Sequence, residues 1–151
     1  FDLTVAVEAG RVAACIAFIY RISSLSRSES VAVADQPALA GHEGRIEAHR
    51  LYGALFFGAV KLIEALEDRL PRETLVIDLK NVIYVDSSGA DSLRGRDRTC
   101  RKQEVRLVVC GLAHQPLDML RRCGFTEALG EPNLRPDLAS GLAAALGKAA
   151  G

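Results

Sequence analysis

The sequence predicts a protein of the α/β class, with a mixed central β-sheet, flanking helices and a hydrophobic helix at the N-terminus. Short apolar runs typical of buried strands alternate with segments in which apolar residues recur every three or four positions, as in amphipathic helices. Glycine and proline residues separate these segments. The first 25 residues are mostly apolar and differ in composition from the remainder. These observations predict a hydrophobic lead-in followed by one α/β domain.

Length and composition allow one domain with a substantial core and an additional segment, and they exclude one class of function. The chain has 151 residues, of which 49% are hydrophobic, with 19 Lys and Arg against 19 Asp and Glu. Nucleic-acid binders need clustered positive charge and often aromatic side chains for stacking. Here aromatic residues make up 5% and there is no Trp, so we expect no nucleic-acid partner.

The cysteines and histidines show no metal-binding or redox pattern. No two cysteines have CxxC spacing, and the histidines share no motif. We expect free thiols in a reducing compartment, and the sequence predicts neither a metal site nor another cofactor. The residues concerned are Cys15, Cys100, Cys110, Cys123, His42, His49 and His114.

The N-terminal segment, residues 1–25, has two interpretations. Crossing a bilayer takes about 20 residues, and the segment reaches that length only if Glu8 and Arg11 are included. Arg21 and Arg27 lie where basic residues flank the cytoplasmic end of a spanning helix. The segment lacks the pattern of a secretory signal peptide. We therefore predict that this segment is the end of a transmembrane domain and forms its last membrane helix. The alternative is an amphipathic helix of a soluble protein.

Beyond this segment we predict a linker at residues 26–43, rich in Ser, Ala and charge, and a folded domain at residues 44–148. Strands are predicted at residues 45–49, 74–79 and 105–110. Gly53 is predicted to break the first of them. The first predicted helix covers residues 55–70, and its apolar stripe consists of Val60, Ile63, Leu66 and Leu70. Further helices are predicted at residues 87–102 and, in a short stretch capped by Gly124, after Pro116. A turn at residues 132–136 precedes the last predicted helix, residues 137–146.

The most informative motif follows the central strand and consists of Asp86, Ser87, Ser88 and Gly89. Short polar side chains cap the free backbone N–H groups at the start of a helix, where the helix dipole leaves partial positive charge. Such a helix end can hold an anion or present a hydroxyl for phosphorylation. An ordinary helix cap is the alternative. No nucleophile is paired with a base, so no catalytic residue is predicted.

The helix after Asp86 departs from a regular amphipathic pattern. Its expected core face comprises Ala90, Leu93, Asp97 and Cys100, so a charged residue occupies a core position. Gly95 costs the helix about 1 kcal/mol relative to Ala. We therefore expect this helix to be the weakest element of the domain. Replacing Asp97 by Leu should stabilise the domain, unless the Asp97 carboxylate has a partner such as Arg94 or Arg101.

In combination, the motifs of residues 44–147 resemble the STAS domain of SulP-type anion transporters and of bacterial anti-sigma-factor antagonists. The resemblance implies the STAS fold, a mixed sheet with flanking helices. The segments that carry it are Leu51-Tyr52-Gly53-Ala54-Leu55-Phe56-Phe57-Gly58, Asp78-Leu79 with Asp86-Ser87-Ser88-Gly89, Cys110-Gly111-Leu112, Leu120-Arg121-Arg122-Cys123-Gly124, and Gly130 to Asp137.

The N-terminal segment is similar to the last transmembrane helix of SulP transporters and to its cytoplasmic exit. This similarity identifies the chain with the C-terminal part of such a transporter, in the cell (inner) membrane with the STAS domain on the cytoplasmic side. Arg11 departs from the family pattern, in which this position is apolar. An Arg side chain in hydrocarbon costs about 3 kcal/mol on insertion scales.

The resemblance implies a non-catalytic regulatory and protein-interaction domain of a secondary transporter for sulfate, bicarbonate or a dicarboxylate. The implied partners are the transporter's own membrane domain, a cytoplasmic regulatory protein and a second copy of the full-length transporter. One alternative is a soluble switch protein phosphorylated on Ser88. The other is a weak anion or nucleotide site formed by Asp86, Ser87, Ser88 and Gly89 with the turn that contains Phe57 and Gly58.

Overall fold

The computed structural model describes residues 2–32, 35–55, 60–65 and 70–147. Helices and strands alternate through these residues, in agreement with the predicted α/β class. The helices are α1 (Leu3–Ser24), α2 (Val60–Glu64), α3 (Ser87–Lys102), α4 (His114–Arg122), α5 (Phe125–Leu129) and α6 (Leu138–Ala145). The strands are β1 (Arg27–Ser30), β2 (Ile46–Leu55), β3 (Thr74–Val85), β4 (Arg106–Cys110) and β5 (Leu134–Arg135).

The strands form one mixed sheet in the order β1-β2-β3-β4-β5. β1 pairs with β2 antiparallel, whereas the pairs β2–β3, β3–β4 and β4–β5 are parallel. Parallel neighbours require crossover connections, and helices provide them. The predicted mixed sheet with flanking helices is therefore confirmed.

The core has two layers because strand side chains alternate between the faces of the sheet. In β3, Leu75 and Ile77 face the layer that contains α2 to α5, while Val76 between them faces α6. Leu93 of α3 and Leu142 of α6 are almost fully buried against the two faces. The sheet is therefore covered by helices on both sides.

The segment predicted as a linker contributes to the sheet. Arg27–Ser30 forms β1, in which Ser28 pairs with Leu51. Val31 and Leu39 are buried next to the α6 layer. The prediction of a linker throughout residues 26–43 was wrong here, because β1 is short and polar and a sheet-edge strand needs no apolar alternation.

The second strand also differs from prediction, since β2 continues through Gly53 to Leu55 instead of ending there. Gly53 has φ of 90° and a Cβ at this position would lie 3.0 Å from the Cα of Ser26. The glycine thus permits close contact with the chain leaving α1. Of the predicted helix at residues 55–70, the described part is α2, where Ile63 is buried as predicted; Leu66 lies outside the described residues.

The remaining elements agree with prediction more closely. β4, α3 and α6 match the predicted segments within one or two residues, while β3 continues past residue 79 to Val85. α4 begins at His114, before Pro116, and Gly124 has φ of 79° between α4 and the short α5, which was not predicted. The predicted turn near Pro132 contains the two-residue strand β5.

The core face predicted for α3 is confirmed, since Ala90, Leu93, Asp97 and Cys100 are all buried. Asp97 is 8% exposed, and its Oδ2 accepts a hydrogen bond at 3.0 Å from Nε of Arg101, one of the two partners considered. Arg96, next to it, is fully buried, which the sequence analysis missed.

Candidate functional site

The candidate site lies at the carboxyl edge of the parallel strands. β2 ends at Leu55 and β3 at Val85, and the backbone N–H of Asp86 donates to the carbonyl oxygen of Leu55 at 3.1 Å. Parallel strands end at the same edge of a sheet, and ligands of α/β proteins bind outside this edge. The start of α3 is therefore held directly against the end of β2.

Asp86 is the N-cap of α3. Its Oδ1 accepts a hydrogen bond at 2.8 Å from the backbone N–H of Gly89. Ser87 is exposed and Ser88 is half-buried, and the Ser88 carbonyl accepts a hydrogen bond from the hydroxyl of Ser92 at 3.0 Å. The carboxylate thus occupies one of the N–H donors that an anion at this helix end would need.

Gly89 has a packing role that its sequence position did not reveal. A Cβ at this position would lie 2.5 Å from the carbonyl oxygen of Leu55 and 2.9 Å from its Cβ. Only a residue without a side chain allows α3 to begin so close to β2. Phe57 and Gly58, predicted to complete the site from the neighbouring turn, lie outside the described residues.

The first turn of α4 adds residues that sequence reasoning missed. The Gln115 side chain accepts a hydrogen bond from the Val85 N–H and donates one to the Val85 carbonyl, both at 2.8 Å. His114, beside it, is exposed and has φ of 52°, in the left-handed region that non-glycine residues rarely occupy. The signal that could have found them is their place after β4, at the same edge as Asp86.

On the opposite face of the sheet lies the buried side chain of Asp78, the first residue of the Asp78-Leu79 motif. It forms a hydrogen bond with the backbone of β3 two residues further along the strand. Its Oδ1 accepts from the Lys80 N–H at 3.0 Å, and its Oδ2 lies 3.7 Å from Nε of Arg50. A Cβ on Gly111 would lie 2.7 Å from the Asp78 carboxylate. Arg50, Asp78 and Lys80 line a polar cavity of about 440 Å³ next to Asp137, the N-cap of α6.

The thiol of Cys110, the last residue of β4, is buried. Burial raises the pKa of Cys110 to about 12, and the carboxylates of Asp78 and Asp137 add to the shift. A thiol with such a pKa remains protonated at neutral pH, so it does not act as a nucleophile or metal ligand. Among the residues that the structure describes, no group of three or more His, Cys, Asp or Glu side chains could hold a metal ion.

The N-terminal helix α1 is long and apolar enough to cross a membrane between Leu3 and Ile22. Its apolar side chains are exposed, for example Ile16 at 63% and Phe18 at 65%. It connects to the sheet through Ser26, whose hydroxyl donates to the Ala54 carbonyl at 2.6 Å. Ser26, two residues after the end of α1, thus connects this helix to the carboxyl end of β2.

Comparison with known proteins gives a family and two kinds of relative. The family model of the STAS domain matches residues 40–141. The putative sulfate transporter YvdB of Bacillus subtilis is 27% identical over an alignment of 135 residues, and the match covers 87% of this chain and 25% of YvdB. This chain thus spans about a quarter of the length of that relative.

Solved structures with the same fold include two from transporter families. A sulfate transporter family protein from Wolinella succinogenes has a TM-score of 0.63 and 26% identity, over 69% of this chain and 86% of the other. The murine anion transporter Slc26a9 has a TM-score of 0.71 and 15% identity, over 98% of this chain and 26% of that one. The chain belongs to the STAS domain family; an apolar helix precedes its STAS domain, and its sequence is similar to that of proteins of the sulfate transporter family.

Proposed function

We propose that this chain is the C-terminal part of a SulP-type secondary anion transporter: α1 is the last membrane helix, and the STAS domain has a non-catalytic regulatory and interaction role. The observation that carries the proposal is the direct connection of an exposed apolar helix of membrane-spanning length to a STAS sheet. A soluble STAS protein would bury such a face, because exposed apolar surface of this size is unfavourable in water.

The charges around α1 support a cytoplasmic location for the STAS domain. Arg21 lies in the last turn of α1 and Arg27 begins β1, where its guanidinium stacks on Tyr52 at 4.5 Å from the ring centre. Basic residues next to a membrane helix favour the cytoplasmic side. We infer that the sheet lies in the cytoplasm, next to the inner face of the cell membrane.

The proposal is tested with the full-length protein in cells that lack their own sulfate uptake. The sequence preceding Phe1 should contain about a dozen apolar spans, and labelled sulfate, bicarbonate or a dicarboxylate should accumulate when the protein is produced. YvdB is described as a putative sulfate transporter and the Wolinella protein as a sulfate transporter family protein, which makes sulfate the first anion to test. A start codon directly before Phe1, with no upstream spans, would overturn the proposal.

Asp86, Ser87, Ser88 and Gly89 remain our candidates for regulation of this domain, with a cap role favoured over an anion site. The Asp86 carboxylate repels a phosphate, and it already accepts from the Gly89 N–H. Any nucleotide or anion bound here would therefore be held weakly. The further partners that we propose are a cytoplasmic regulatory protein and a second copy of the full-length transporter.

The alternative of a phosphorylation switch makes different predictions for Ser88 and its exposed neighbour Ser87. If the domain is a scaffold, Ser88→Ala in the full-length protein leaves anion uptake near normal, since a change next to a cap costs about 1 kcal/mol. We expect this scaffold result, with Ser87→Ala as the matched control. Stoichiometric phosphate on Ser88 in cells, with Ser88→Ala and Ser88→Asp shifting uptake in opposite directions, would establish the switch instead.

A further inference from the structure

Large apolar side chains that remain exposed outside α1 are concentrated at one end of the sheet. Within the part of the chain that the structure describes, they are Leu25, Ile83 and Tyr84, with exposed fractions of 68%, 75% and 41%. We refer to these three residues as the apolar tip. Three such residues in one place require an explanation, because single exposed apolar side chains are common but clusters often mark contact surfaces.

The apolar tip is exposed because β3 is longer than its neighbour. The pairing of β3 with β4 ends at Asp78 and Cys110, whereas its pairing with β2 continues to Val85. Register shifts in β2–β3 pairing fall on either side of Gly53. The end of β3 therefore projects beyond β4, and the side chain of Ile83 has little of the sheet to pack against.

The apolar tip lies next to the point where α1 joins the domain. Leu25 directly follows α1, and the Ser26 hydroxyl donates to the Ala54 carbonyl at 2.6 Å. Ala54 is the sheet partner of Tyr84, and neighbouring strands are about 4.8 Å apart. Tyr84 is thus one strand away from the residue that anchors the end of α1.

This position determines the depth of the apolar tip if α1 spans the membrane. The span ends at Ile22, three residues before Leu25. The headgroup region extends about 5 to 7 Å beyond the hydrocarbon on each side, and a helix rises about 1.5 Å per residue. Leu25 therefore falls within the headgroup region, where Tyr is an enriched residue and Arg21 can meet lipid phosphates.

We propose that the apolar tip rests among the phospholipid headgroups of the cytoplasmic leaflet, so that the STAS sheet is fixed to the membrane by a second contact besides α1. This inference rests on the proposed function, in which α1 is a membrane helix. The contact would hold the carboxyl edge with Asp86 and Ser88 close to the membrane surface.

The experiment uses the whole chain in vesicles and exploits its lack of tryptophan. Ile83→Trp places one fluorophore at the apolar tip, where the exposed side chain tolerates replacement. The vesicles contain phosphatidylcholine and phosphatidylglycerol, with part of the lipid brominated close to the headgroup. Arg72→Trp is the matched control, because Arg72 is exposed and lies before β3, about 35 Å from the other end of that 12-residue strand.

We expect brominated lipid to quench the Ile83→Trp fluorescence at least about twofold more strongly than that of Arg72→Trp, because bromine quenches only at close range and interfacial side chains lie at headgroup depth. The Ile83→Trp emission should also shift to shorter wavelength when vesicles are added. Equal quenching at the two positions would overturn the proposal. So would a shift without lipid quenching, which would indicate that the apolar tip contacts a second copy or another protein.

A third variant, Phe18→Trp, separates this proposal from the proposed function. Phe18 lies within the span of α1. If its fluorescence is quenched while that of Ile83→Trp is not, the membrane helix stands and the lipid contact of the apolar tip is refuted. If neither is quenched, α1 does not enter the bilayer, and both the inference and the membrane anchor of the proposed function fail.

Discussion

At the scale of single residues, the candidate site depends on atoms that approach each other unusually closely. The start of α3 is held between the Asp86 cap and the end of β2, and Gly89 has no space for a side chain. On the other face of the sheet, Gly111 likewise has no space for a side chain, because a Cβ there would meet the Asp78 carboxylate. Small and acidic residues at these positions are therefore explained by packing and capping before any ligand is considered.

Two glycines of α3 test this explanation, because they differ in surroundings and share one helix. Gly89→Ala should lower the free energy of unfolding by about 2 kcal/mol, since the new methyl group meets the Leu55 carbonyl. Gly95→Ala should raise it by about 1 kcal/mol, since nothing lies within 4 Å of a Cβ there. Urea denaturation of both variants measures the difference. Similar changes of the same sign would contradict the packing role of Gly89.

A half-buried histidine makes stability depend on pH. Burial lowers the pKa of His49, and the nearby Arg96 adds to this, while the hydrogen bond that His49 donates to Glu47 and the charge of that carboxylate act in the opposite direction. The unfolded chain therefore binds the proton more readily, and the free energy of unfolding falls as the pH drops below about 6.5. We expect His49→Gln to reduce this fall between pH 7 and pH 5.5, measured by urea denaturation. Parallel pH profiles of the two proteins would contradict the expectation.

At the scale of elements, hydrogen bonds from the side chains of two arginines hold helices in place. Arg101 of α3 bonds with Asp97 of the same helix and donates to the Ala128 carbonyl of α5. Arg106 of β4 donates to Asn133 at 2.7 Å and to the Ala144 carbonyl at 3.0 Å, so it fixes the C-terminal part to the sheet. Arginine suits both positions because its guanidinium carries several donors in a rigid plane.

The Asp97 partner reverses the expectation that a leucine would be better at this core position. Asp97→Leu should lower the free energy of unfolding by about 1 kcal/mol, because it removes the hydrogen bond that orients Arg101 toward α5; the exposure of Arg101 keeps the loss small. A double-mutant cycle with Asp97→Ala and Arg101→Ala measures the coupling between them. Additive effects in this cycle would show that the ion pair contributes nothing, and a more stable Asp97→Leu variant would contradict the expected loss.

At the scale of the whole molecule, the domain includes more of the N-terminal region than its composition suggests. β1 covers the edge of β2, and Val31 and Leu39, which come after β1 in the sequence, are buried. An uncovered β2 would leave a row of unpaired backbone groups, which promotes aggregation. The domain boundary predicted at residue 44 remains a prediction, because β2 to β5 and α2 to α6 all lie beyond it.

Two truncated chains test that boundary. A chain that begins at Ser24 should be about 3 kcal/mol more stable to urea than one that begins at Glu43, because it keeps β1 and the buried side chains of Val31 and Leu39. Both should fold, since α2 to α6 and β2 to β5 lie beyond residue 43. Equal stability of the two chains would show that residues 24–42 are a linker in energetic terms as well.

The sequence by itself determined the fold class, the central strand, α3 and the capping motif, because these depend on local patterns. Alternating apolar runs produce strands, and the Asp86 to Gly89 motif caps a helix with side chains close in sequence. The core face of α3 followed from helical spacing. The apolar character of α1 followed from composition, since a membrane-spanning length needs no tertiary contact to be seen.

Only the tertiary structure decided the features that join distant segments. β1 became a strand because β2 offers it an edge, although its own residues are polar. Gln115 reached the candidate site because β4 ends at the same edge as β3. Gly89 acquired its packing role from Leu55, 34 positions before it. Such contacts depend on which strands become neighbours, and a local sequence pattern contains no information about a partner that lies far along the chain.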